Sequence, residues 1–464
     1  MQTIKTPIIP THQTIVKIKG EKHELDYKAI CIFSAFGFFL DRDTYWKDEK
    51  VLAAGTINNI DNDGYLIDSK PWFQWYYKPR KVSLKQSAKE FQQLFESIVR
   101  EQSDGKDIIL PLSGGLDSRS QAVALKKCNA HVKSYSYSFQ NGFRESDISK
   151  KIANTCGFFF KEFTIDNGYL WSKVEELAAI NECYSEFTHP RQMAVIDEVA
   201  ELGNTFSLGH WGDVLFDSDG LAENISDIEL VQILKKKVLK KGGLELALSL
   251  WNSWGIEGEF EQYLEQRLLA LLSKIEIKKV NAKVRAFKSL YWAPRWTSVN
   301  LSVFENKHPI SLPYYDDRMC QFICEVPEEL LSNRQIQIEY IKQNNKEVAG
   351  IVWQEVKPFN LYTFHFAKAP YNFPYRVIDK LKRDFRGALG KKFVQRNWEL
   401  QFLGVENKKQ LKKYLYSEGF LKFVDKATVD GYCHLFDTRD KVYYSHSVST
   451  LLTLSLFIKQ LNEK

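Results

Sequence analysis

Hydrophobic and polar positions divide the chain into stretches of different period. Over residues 1–82, short β-branched and aromatic runs such as 14–18 and 65–67 alternate with turn residues. This alternation predicts a small layer of strands. Over residues 82–100, apolar side chains recur every three or four positions, which is typical of an amphipathic helix. That helix is expected to open a second region of the chain.

Strand-like and helix-like segments then alternate between residues 108 and 208. The predicted strands are 108–112, 132–139, 158–165 and 205–208, and the predicted helices are 118–127, 145–156 and 192–202. Alternation of this kind predicts parallel strands joined by right-handed crossovers. Beyond residue 225 the pattern is helical. We therefore predict an α/β fold: a parallel sheet with helices on both faces, a small N-terminal β-rich region and a helical C-terminal region.

Composition fits a globular protein of several folding units. The 464 residues are 44% hydrophobic and 26% charged, and a chain of this length predicts about two to four domains. We place the boundaries at 1–82, 83–360 and 361–464. A net charge of +6 is small for this length and does not by itself indicate nucleic acid. The seven cysteines are scattered with no CxxC pair, which favours reduced thiols over a disulfide framework or a zinc site.

The chain shows no sign of membrane targeting. Its first residues lack a basic stretch followed by an apolar run, and no segment approaches about 18 uninterrupted apolar residues. We expect a soluble, cytoplasmic protein without a membrane partner.

The strongest motif is Ser-Gly-Gly-Leu-Asp-Ser at residues 113–118, between an apolar strand and a predicted helix. Two glycines let the backbone approach a ligand, and the N-terminus of a helix adds partial positive charge. GxGxxG and GxxxxGK[ST] loops are both absent. A simple turn capped by Asp or Ser is the alternative, but the complete motif in this context favours a loop that holds a pyrophosphate.

This loop resembles the ATP-pyrophosphatase loop of the asparagine synthetase family, whose members split ATP between the α and β phosphates to adenylate a carboxylate. Further segments resemble family motifs in the same order: 135–139 with 144–146, 207–216, 313–316 and 357–359. The resemblance covers about residues 29–360 and is most specific at the first loop. It implies an adenine nucleotide α-hydrolase-like core that uses ATP and Mg²⁺.

Site roles follow from the resemblance and from the chemistry of the side chains. The residues expected to contact ATP are Leu112, Ser113, Gly114, Gly115, Leu116, Asp117, Ser118, Phe139 and Gly209. Asp117 and Asp213 follow two predicted strands, so their carboxylates are expected to meet at one sheet edge and share Mg²⁺ with the triphosphate. A helix cap is the alternative for Asp213. The resemblance gives Lys357 a role in neutralising charge on the acyl-adenylate, with a solvated surface lysine as the alternative.

Three residues near Asp213 depart from the family. His210 stands where the family has a glutamate and where the related β-lactam synthetases have a tyrosine. We predict that it accepts a proton from an attacking amine, with an ordinary hydrogen-bonding histidine as the alternative. Trp211 replaces a glycine and Val214 replaces an acid, so the acceptor pocket should differ from that of asparagine synthetase.

Aromatic and basic residues outside these motifs indicate their roles less specifically. Arg191 is expected either to face the cleft or to lie in a surface turn. Four tryptophans after residue 250 are assigned to packing between helices: Trp251, Trp254, Trp292 and Trp296.

The N-terminal region lacks a feature of the glutamine-dependent members, which carry a nucleophilic cysteine as their second residue. This chain has Gln2, and its nearest cysteine, Cys31, lies within an apolar run. Residues 36–38 with Thr44 and Gly55 nevertheless resemble the tail of the glutaminase domain. We expect a truncated glutaminase-like region that does not hydrolyse glutamine.

The leading hypothesis is an ATP-dependent carbon–nitrogen ligase that adenylates a small-molecule or peptide carboxylate and releases AMP and pyrophosphate. Its nitrogen would come from ammonia, from a separate glutaminase or from an amine of the substrate, as in β-lactam synthetases and lasso-peptide cyclases. The alternative is a catalytically degenerate ATP-binding protein that acts as a sensor or scaffold. Sulfur transfer to tRNA would need cysteines paired around the loop, and none are so placed.

One basic stretch is relevant to which binding partners the protein has. Residues 376–396 contain eight Lys or Arg against two Asp. A phosphorylated or tRNA partner is one interpretation, but the stretch lacks the alternation of basic and aromatic residues found on nucleic-acid platforms. A solvated helix face is favoured, and we do not expect a nucleic-acid partner.

Overall fold

The strands fall into three sheets. The structure, a computed structural model, describes residues 1–142, 146–375, 377 and 393–463. Its strands are β1 Gln2–Lys5, β2 Ile15–Lys17, β3 Glu49–Val51, β4 Thr56–Ile60, β5 Leu66–Pro71, β6 Asp107–Pro111, β7 His131–Phe139, β8 Phe159–Ile165, β9 Thr205–Ser207 and β10 Ile310–Ser311. They form a β1-β4-β5 sheet, a β2-β3 pair and a central β10-β9-β6-β7-β8 sheet.

Helices make up most of the remaining chain. Up to residue 300 they are α1 Tyr27–Phe36, α2 Leu84–Ser103, α3 Asp117–Lys127, α4 Ser146–Cys156, α5 Leu170–Asn181, α6 Ile196–Ala200, α7 Gly212–Leu215, α8 Asp227–Val238, α9 Gly243–Ser253, α10 Phe260–Ser273, α11 Val280–Phe287 and α12 Ser298–Glu305. They continue with α13 Asp317–Ile323, α14 Glu328–Leu331, α15 Gln335–Asn344, α16 Lys346–Gly350, α17 Asn397–Phe402, α18 Val405–Leu415, α19 Glu418–Phe423, α20 Lys426–Thr438 and α21 Lys441–Glu463. A π-helix spans Lys288–Thr297, and 3₁₀ turns span Arg191–Ala194, Pro313–Tyr315, Ser332–Arg334, Gln354–Val356 and Phe364–Phe366.

The central sheet confirms the α/β prediction. All of its strand pairs are parallel. Its central strand, β6, buries three consecutive residues, Ile108 to Leu110, as expected for a strand covered on both faces. The neighbouring residues Phe206 and Ser207 in β9 show this cover directly. Phe206 packs on Phe304 of α12, with ring centroids 4.9 Å apart, whereas Ser207 accepts a 3.1 Å hydrogen bond from Gln121 of α3. Since adjacent strand residues point to opposite faces, helices cover both faces.

The N-terminal region is strand-rich, as predicted, but it also contains a helix that the periodicity did not reveal. Its three-stranded sheet and its two-stranded pair are antiparallel. Helix α1 occupies part of the apolar stretch 29–39 and is buried from Ala29 to Phe36. A helix that is apolar all round has no polar face to mark its period. Its start is fixed by Asp26, whose side chain accepts a 3.0 Å hydrogen bond from the Ala29 N–H.

The C-terminal region is helical where the structure describes it, as predicted. Helix α21 packs against α5 and α9, and His446 Nε2 lies 3.0 Å from the carbonyl oxygen of Ser34 in α1. One hydrophobic cluster runs from Ile8 to Ile458, so the N-terminal and C-terminal regions share a core. The predicted domain boundaries stay predictions. Among the described helices, none has the length and apolar character needed to cross a membrane.

One of the predicted helices is interrupted in the structure. The helix predicted over 192–202 is instead a 3₁₀ turn, Arg191–Ala194, followed by the short α6, because Val195 leaves helical geometry with φ −130°. Arg144 and Glu145 of the family motif lie outside the described residues, as does most of the basic stretch 376–396.

Candidate active site

The loop after β6 is held by its own polar side chains. Ser118 Oγ accepts a 3.1 Å hydrogen bond from the Ser113 N–H, and Ser113 Oγ accepts a 3.2 Å bond from the Gly115 N–H. The Leu112 N–H donates to the Tyr135 carbonyl at 2.8 Å, which continues the pairing of β6 with β7. The loop therefore folds back onto the first turn of α3 at the carboxyl edge of the sheet.

Two glycines allow close approaches around this loop. A Cβ on Gly114 would lie 2.7 Å from Gln354 Oε1, and one on Gly212 would lie 2.2 Å from Asp117 Oδ1. Any side chain at these positions would push Gln354 off the loop or displace the Asp117 carboxylate.

A segment that is distant in sequence, residues 351–354, covers the loop. Arg119 is fully buried and donates to the carbonyl oxygens of Gly114 at 3.1 Å and of Val352 at 2.8 Å. Burial lowers the pKa of Arg119 to about 10. Gln354 Oε1 accepts a 3.1 Å hydrogen bond from the Gly114 N–H. Arg119 thus fixes the segment on the loop, and Gln354 engages one of the amides expected to meet a phosphate.

The loop opens into a cavity of about 1230 Å³. The predicted site residues that line it are Leu112, Ser113, Gly115, Asp117, Ser118, Phe139, Gly209, His210 and Asp213. Three others, Gly114, Leu116 and Lys357, do not line the cavity as the described residues form it. Leu116 is fully buried and Gly114 lies beneath Gln354. Lys357 is partly exposed, two residues beyond the lining residue Glu355, and its role stays a prediction.

Asp117 forms a partly buried ion pair that the sequence did not reveal. Its Oδ1 accepts hydrogen bonds from Arg334 and, at 2.9 Å, from Gln337 Nε2. The Arg334 side chain is only 5% exposed. Burial raises the pKa of Asp117 to about 6, with Asp213 adding to the rise and Arg334 opposing it. Asp117 and Asp213 are therefore close enough to interact, as the magnesium hypothesis requires.

The two carboxylates fit a metal that arrives with the nucleotide. In the described part of the chain, no group of three or more His, Cys, Asp or Glu residues could hold a metal ion. Mg²⁺ commonly uses one or two carboxylates together with phosphate oxygens and waters. Asp213 is exposed, and its Oδ1 accepts a 3.0 Å hydrogen bond from the Val214 N–H. Asp117 and Asp213 would thus bind Mg²⁺ with the triphosphate, and this assignment stays a prediction.

His210 differs electrostatically from the histidine that the sequence suggested. Burial lowers its pKa to about 4, and Asp213 only partly offsets this effect. Its Nδ1 is buried without a hydrogen-bond partner among the described residues. The imidazole is therefore neutral at pH 7 but is a weaker base than a histidine that titrates near neutrality. Its proton-accepting role stays a prediction.

Aromatic residues of the π-helix line the cavity beside the loop that carries His210, since the Trp211 indole N–H of that loop donates to Ser289 Oγ of the π-helix at 3.1 Å. Trp292 and Trp296 of the π-helix line the cavity, with ring centroids 6.3 Å apart, so they do more than pack between helices. Their indole N–H groups are buried without a partner in the described chain. Arg191 faces the same cavity and donates from Nε to Tyr137 OH at 2.6 Å. This end of the cavity, the acceptor end, is thus rich in aromatic groups.

Comparison with protein families confirms the resemblance over part of the chain. Residues 90–198 match the sequence model of the asparagine synthase family. This segment includes the loop and the strands β6, β7 and β8. The match supports an ATP-dependent, ligase-type domain, and members of the matched family use ATP, generally with Mg²⁺. Asp213, Arg334 and Lys357 lie outside the matched residues.

The comparisons with curated sequences and with solved structures give no further information about fold or function. No curated protein sequence matches this chain. One similar solved structure is the U34-tRNA thiolase NcsA from Methanococcus maripaludis with its [4Fe-4S] cluster. It has 11% sequence identity and a TM-score of 0.24, over 74% of this chain and 88% of that chain. A TM-score this low supports no conclusion about fold or function.

Proposed function

We propose that the chain is an ATP-dependent carbon–nitrogen ligase that adenylates a carboxylate and then joins the acyl group to ammonia or an amine. One observation carries the proposal: the Ser113–Ser118 loop and the Asp117 carboxylate line a single cavity at the carboxyl edge of a parallel sheet. The part of the chain that builds this loop is also the part that matches the asparagine synthase family. Ligands of open α/β folds bind at this edge.

The loop would hold the outer phosphates of ATP. Backbone N–H groups at the start of α3 and its helix dipole favour negative charge at this position. The Gly114 N–H is engaged by Gln354, so a phosphate that used this amide would first displace the Gln354 side chain. The strand end at residues 135–139 lines the same cavity and would contact the remainder of the nucleotide.

The first chemical step is an attack of a carboxylate oxygen on the α-phosphorus of ATP. A new P–O bond forms, the bond to the β-phosphate oxygen breaks, and pyrophosphate leaves with the electron pair. Asp117 and Asp213 would hold Mg²⁺. The bound ion would neutralise negative charge on the leaving pyrophosphate. The ion pair with Arg334 would keep the Asp117 side chain in place between turnovers.

The second step transfers the acyl group to nitrogen. The amine attacks the acyl carbon, AMP leaves, and the proton lost by nitrogen passes to a base, for which His210 is our candidate. The aromatic side chains of the acceptor end favour a substrate acid with an apolar body over aspartate. Among the described lining residues, the two cations are Arg191 and Lys288, which are already bonded to Tyr137 and Asp219.

Acid-dependent exchange of labelled pyrophosphate into ATP tests this function. We expect exchange with at least one acid of a panel that includes aromatic and aliphatic acids. Asp117→Asn should lower that exchange by at least about 100-fold, because the neutral amide would hold Mg²⁺ poorly and the charge on the phosphates would no longer be neutralised. The matched control is Asp104→Asn at the exposed end of α2, which should leave exchange unchanged. Exchange that persists in Asp117→Asn would refute the role of Asp117.

Two contacts favour a second candidate, a non-catalytic ATP-binding protein. Arg334 already donates a hydrogen bond to the Asp117 carboxylate, and Gln354 Oε1 already accepts one from the Gly114 N–H. A sensor or scaffold of this kind would bind ATP yet catalyse no exchange with any acid. Equilibrium binding of a non-hydrolysable ATP analogue, measured beside the exchange assay, separates the two candidates.

The nitrogen source has its own test. Cys31, the first cysteine in the sequence, is fully buried in α1, and burial raises the pKa of its thiol, so it is a poor nucleophile; we propose that the chain does not hydrolyse glutamine. Purified protein supplied with ATP, the acid and glutamine should release no glutamate above the background without enzyme. Release of glutamate in proportion to enzyme concentration would contradict this part of the proposal.

A further inference from the structure

A buried carboxylate lies next to the acceptor end, and the proposed ligase chemistry gives it no role. Glu186 is 1% exposed and belongs to the segment between α5 and the 3₁₀ turn Arg191–Ala194. Arg191 and Gln192 of that turn line the active-site cavity. A buried carboxylate needs hydrogen-bond donors that offset its loss of water. The donors around Glu186 therefore show which part of the structure it holds in place.

Glu186 is bonded by residues of its own segment and by the C-terminal helix α21. Its Oε2 accepts hydrogen bonds from the Thr188 N–H at 2.9 Å and from Ser449 Oγ of α21. Its Oε1 lies 2.9 Å from His189 Nε2. Burial raises the pKa of Glu186, but His189 and groups of α21 outweigh this effect, so the pKa lies well below its usual range. The carboxylate is therefore ionised at pH 7, and it fixes the imidazole of His189 through Nε2.

His189 and Lys240 both contact the ring of Trp296, which lines the active-site cavity. The His189 imidazole meets this ring edge to face, with ring centroids 5.0 Å apart. Lys240 Nζ lies over the same ring, 5.2 Å from its centroid. Contacts of both kinds are favourable. Burial lowers the pKa of Lys240, and Glu186 partly offsets this effect. The buried carboxylate therefore acts on both groups that contact the ring.

The Trp296 ring depends on such contacts for its orientation. Its indole N–H is buried without a hydrogen-bond partner among the described residues, so no bond of the side chain fixes the ring. His189 is 35% exposed at its side chain, but it does not line the cavity as the described residues form it. His189 is thus placed to hold Trp296 and not to contact a ligand itself.

We propose that Glu186 and His189 are positioning residues that hold the Trp296 ring at the acceptor end and thereby help to determine which acid binds. The inference rests on the proposed function, because it assigns the Trp296 wall to the substrate acid. Glu186 acts through His189, and His189 acts through Trp296. Because Ser449 of α21 donates to Glu186, part of the choice of acid depends on a helix outside the family match at residues 90–198.

A double-mutant cycle in pyrophosphate exchange tests the role in acid binding. His189→Gln removes the ring but keeps an N–H that can donate to Glu186. It should raise the KM for the acid by about threefold to tenfold and leave the maximal rate within about twofold. In a Trp296→Leu background the same substitution should change this KM by less than about twofold, because the effects of coupled residues do not add. The matched control is His434→Gln, at an exposed histidine of α20, which should leave both quantities unchanged.

A second measurement does not depend on ligase activity. The full chain is labelled with 5-fluorotryptophan, and the Trp296 signal is identified as the ¹⁹F resonance that is missing from Trp296→Phe. His189→Gln and Glu186→Gln should both shift this signal, because each changes the contacts of the ring. The Trp254 signal should stay in place, since Trp254 donates to the Phe423 carbonyl. If Glu186→Gln fails to fold by circular dichroism, His189→Phe, which keeps a ring but cannot donate to Glu186, takes its place.

Each part of the proposal can fail separately. An unmoved Trp296 signal in His189→Gln would show that the histidine does not hold the ring. A shifted signal with an unchanged KM for the acid would remove the role in substrate choice. Equal effects of His189→Gln in the unaltered and Trp296→Leu backgrounds would show that His189 acts by another route. If no acid supports exchange in the unaltered protein, the ligase function and the role in acid choice both fail, and the ¹⁹F shift decides the positioning of the ring alone.

Discussion

The two ends of the active-site cavity are built in different ways. The phosphate end is one contiguous loop, residues 113–118, whose polar atoms bond mainly to one another and to the segment 351–354. The acceptor end combines the loop after β9, the π-helix and Arg191, which lie far apart in the sequence. On the proposed function, a short local segment would specify the type of reaction, and long-range packing would specify the substrate.

The two ends also differ in charge. The phosphate end holds the ion pair between the partly exposed Asp117 and the buried Arg334. At the acceptor end, His210 is neutral at pH 7 because burial lowers its pKa to about 4, and the buried donors that lack a partner among the described residues include the indole N–H groups of Trp292 and Trp296. We therefore expect substitutions at the phosphate end to act on catalysis and stability, and those at the acceptor end to act mainly on the choice of acid.

The largest effect is expected for Asp117→Ala. Removing this carboxylate leaves Arg334 buried without its partner, which should cost about 3–5 kcal/mol of unfolding free energy in addition to the loss of exchange. Urea denaturation followed by circular dichroism measures the loss of stability. The double variant Asp117→Ala/Arg334→Met should recover much of the stability but none of the exchange. Recovery of exchange in the double variant would show that the carboxylate has no catalytic role.

A methyl group at Gly212 should have the next largest effect. Gly212→Ala would place a Cβ against the Asp117 carboxylate, and a misplaced reactive group can lower a rate by about 100-fold. Gly431→Ala, in α20 with open space around it, is the matched control and should leave exchange unchanged. Rates of pyrophosphate exchange measure both variants. Equal rates for the two variants would show that the close approach at Gly212 does not position Asp117.

At the acceptor end, Trp296→Phe should change the choice of acid more than the use of ATP. We expect the KM for the acid to rise by about fivefold to tenfold, because the ring loses contact area and its N–H group. The KM for ATP should stay within about twofold. Trp254→Phe is the control, since Trp254 donates to the Phe423 carbonyl and does not line the cavity as described. A larger change in the KM for ATP would mean that the two ends do not act separately.

The smallest effect is expected for Gln354→Ala. Removing this side chain frees the Gly114 N–H for a phosphate, and a hydrogen bond of about 1 kcal/mol corresponds to about fivefold tighter binding of ATP. Calorimetric titration with a non-hydrolysable ATP analogue measures the change. Gln343→Ala on the exposed surface of α15 is the control. Weaker binding by Gln354→Ala would show that Gln354 supports the loop and does not compete with phosphate.

Local patterns predicted the sheet and the phosphate end. The parallel strands follow from alternating apolar segments, and the loop is recognisable because its six chemically informative residues are consecutive. Asp117 and Asp213 could be assigned to one sheet edge because each follows a strand. These inferences need only the order of neighbouring residues and the geometry of parallel sheets.

Long-range contacts could not be predicted from the sequence. Arg334 meets Asp117 across 217 residues, and Gln354 meets Gly114 across 240 residues. No local signal links such residues, since the pairing depends on how α15 and the segment after α16 pack on α3. The π-helix was also missed, because Pro294 within it usually indicates the end of a helix. Burial, which lowers the pKa of His210, is likewise a property of the folded chain.

Identification of the nucleotide product tests the central claim most directly. ATP labelled at the α-phosphorus is incubated with the purified chain, Mg²⁺, an acid that supports exchange and an amine, and the labelled products are separated. We predict labelled AMP in an amount equal to the amide formed. Labelled ADP as the product that accompanies amide formation would place cleavage at the γ-phosphate and contradict the account.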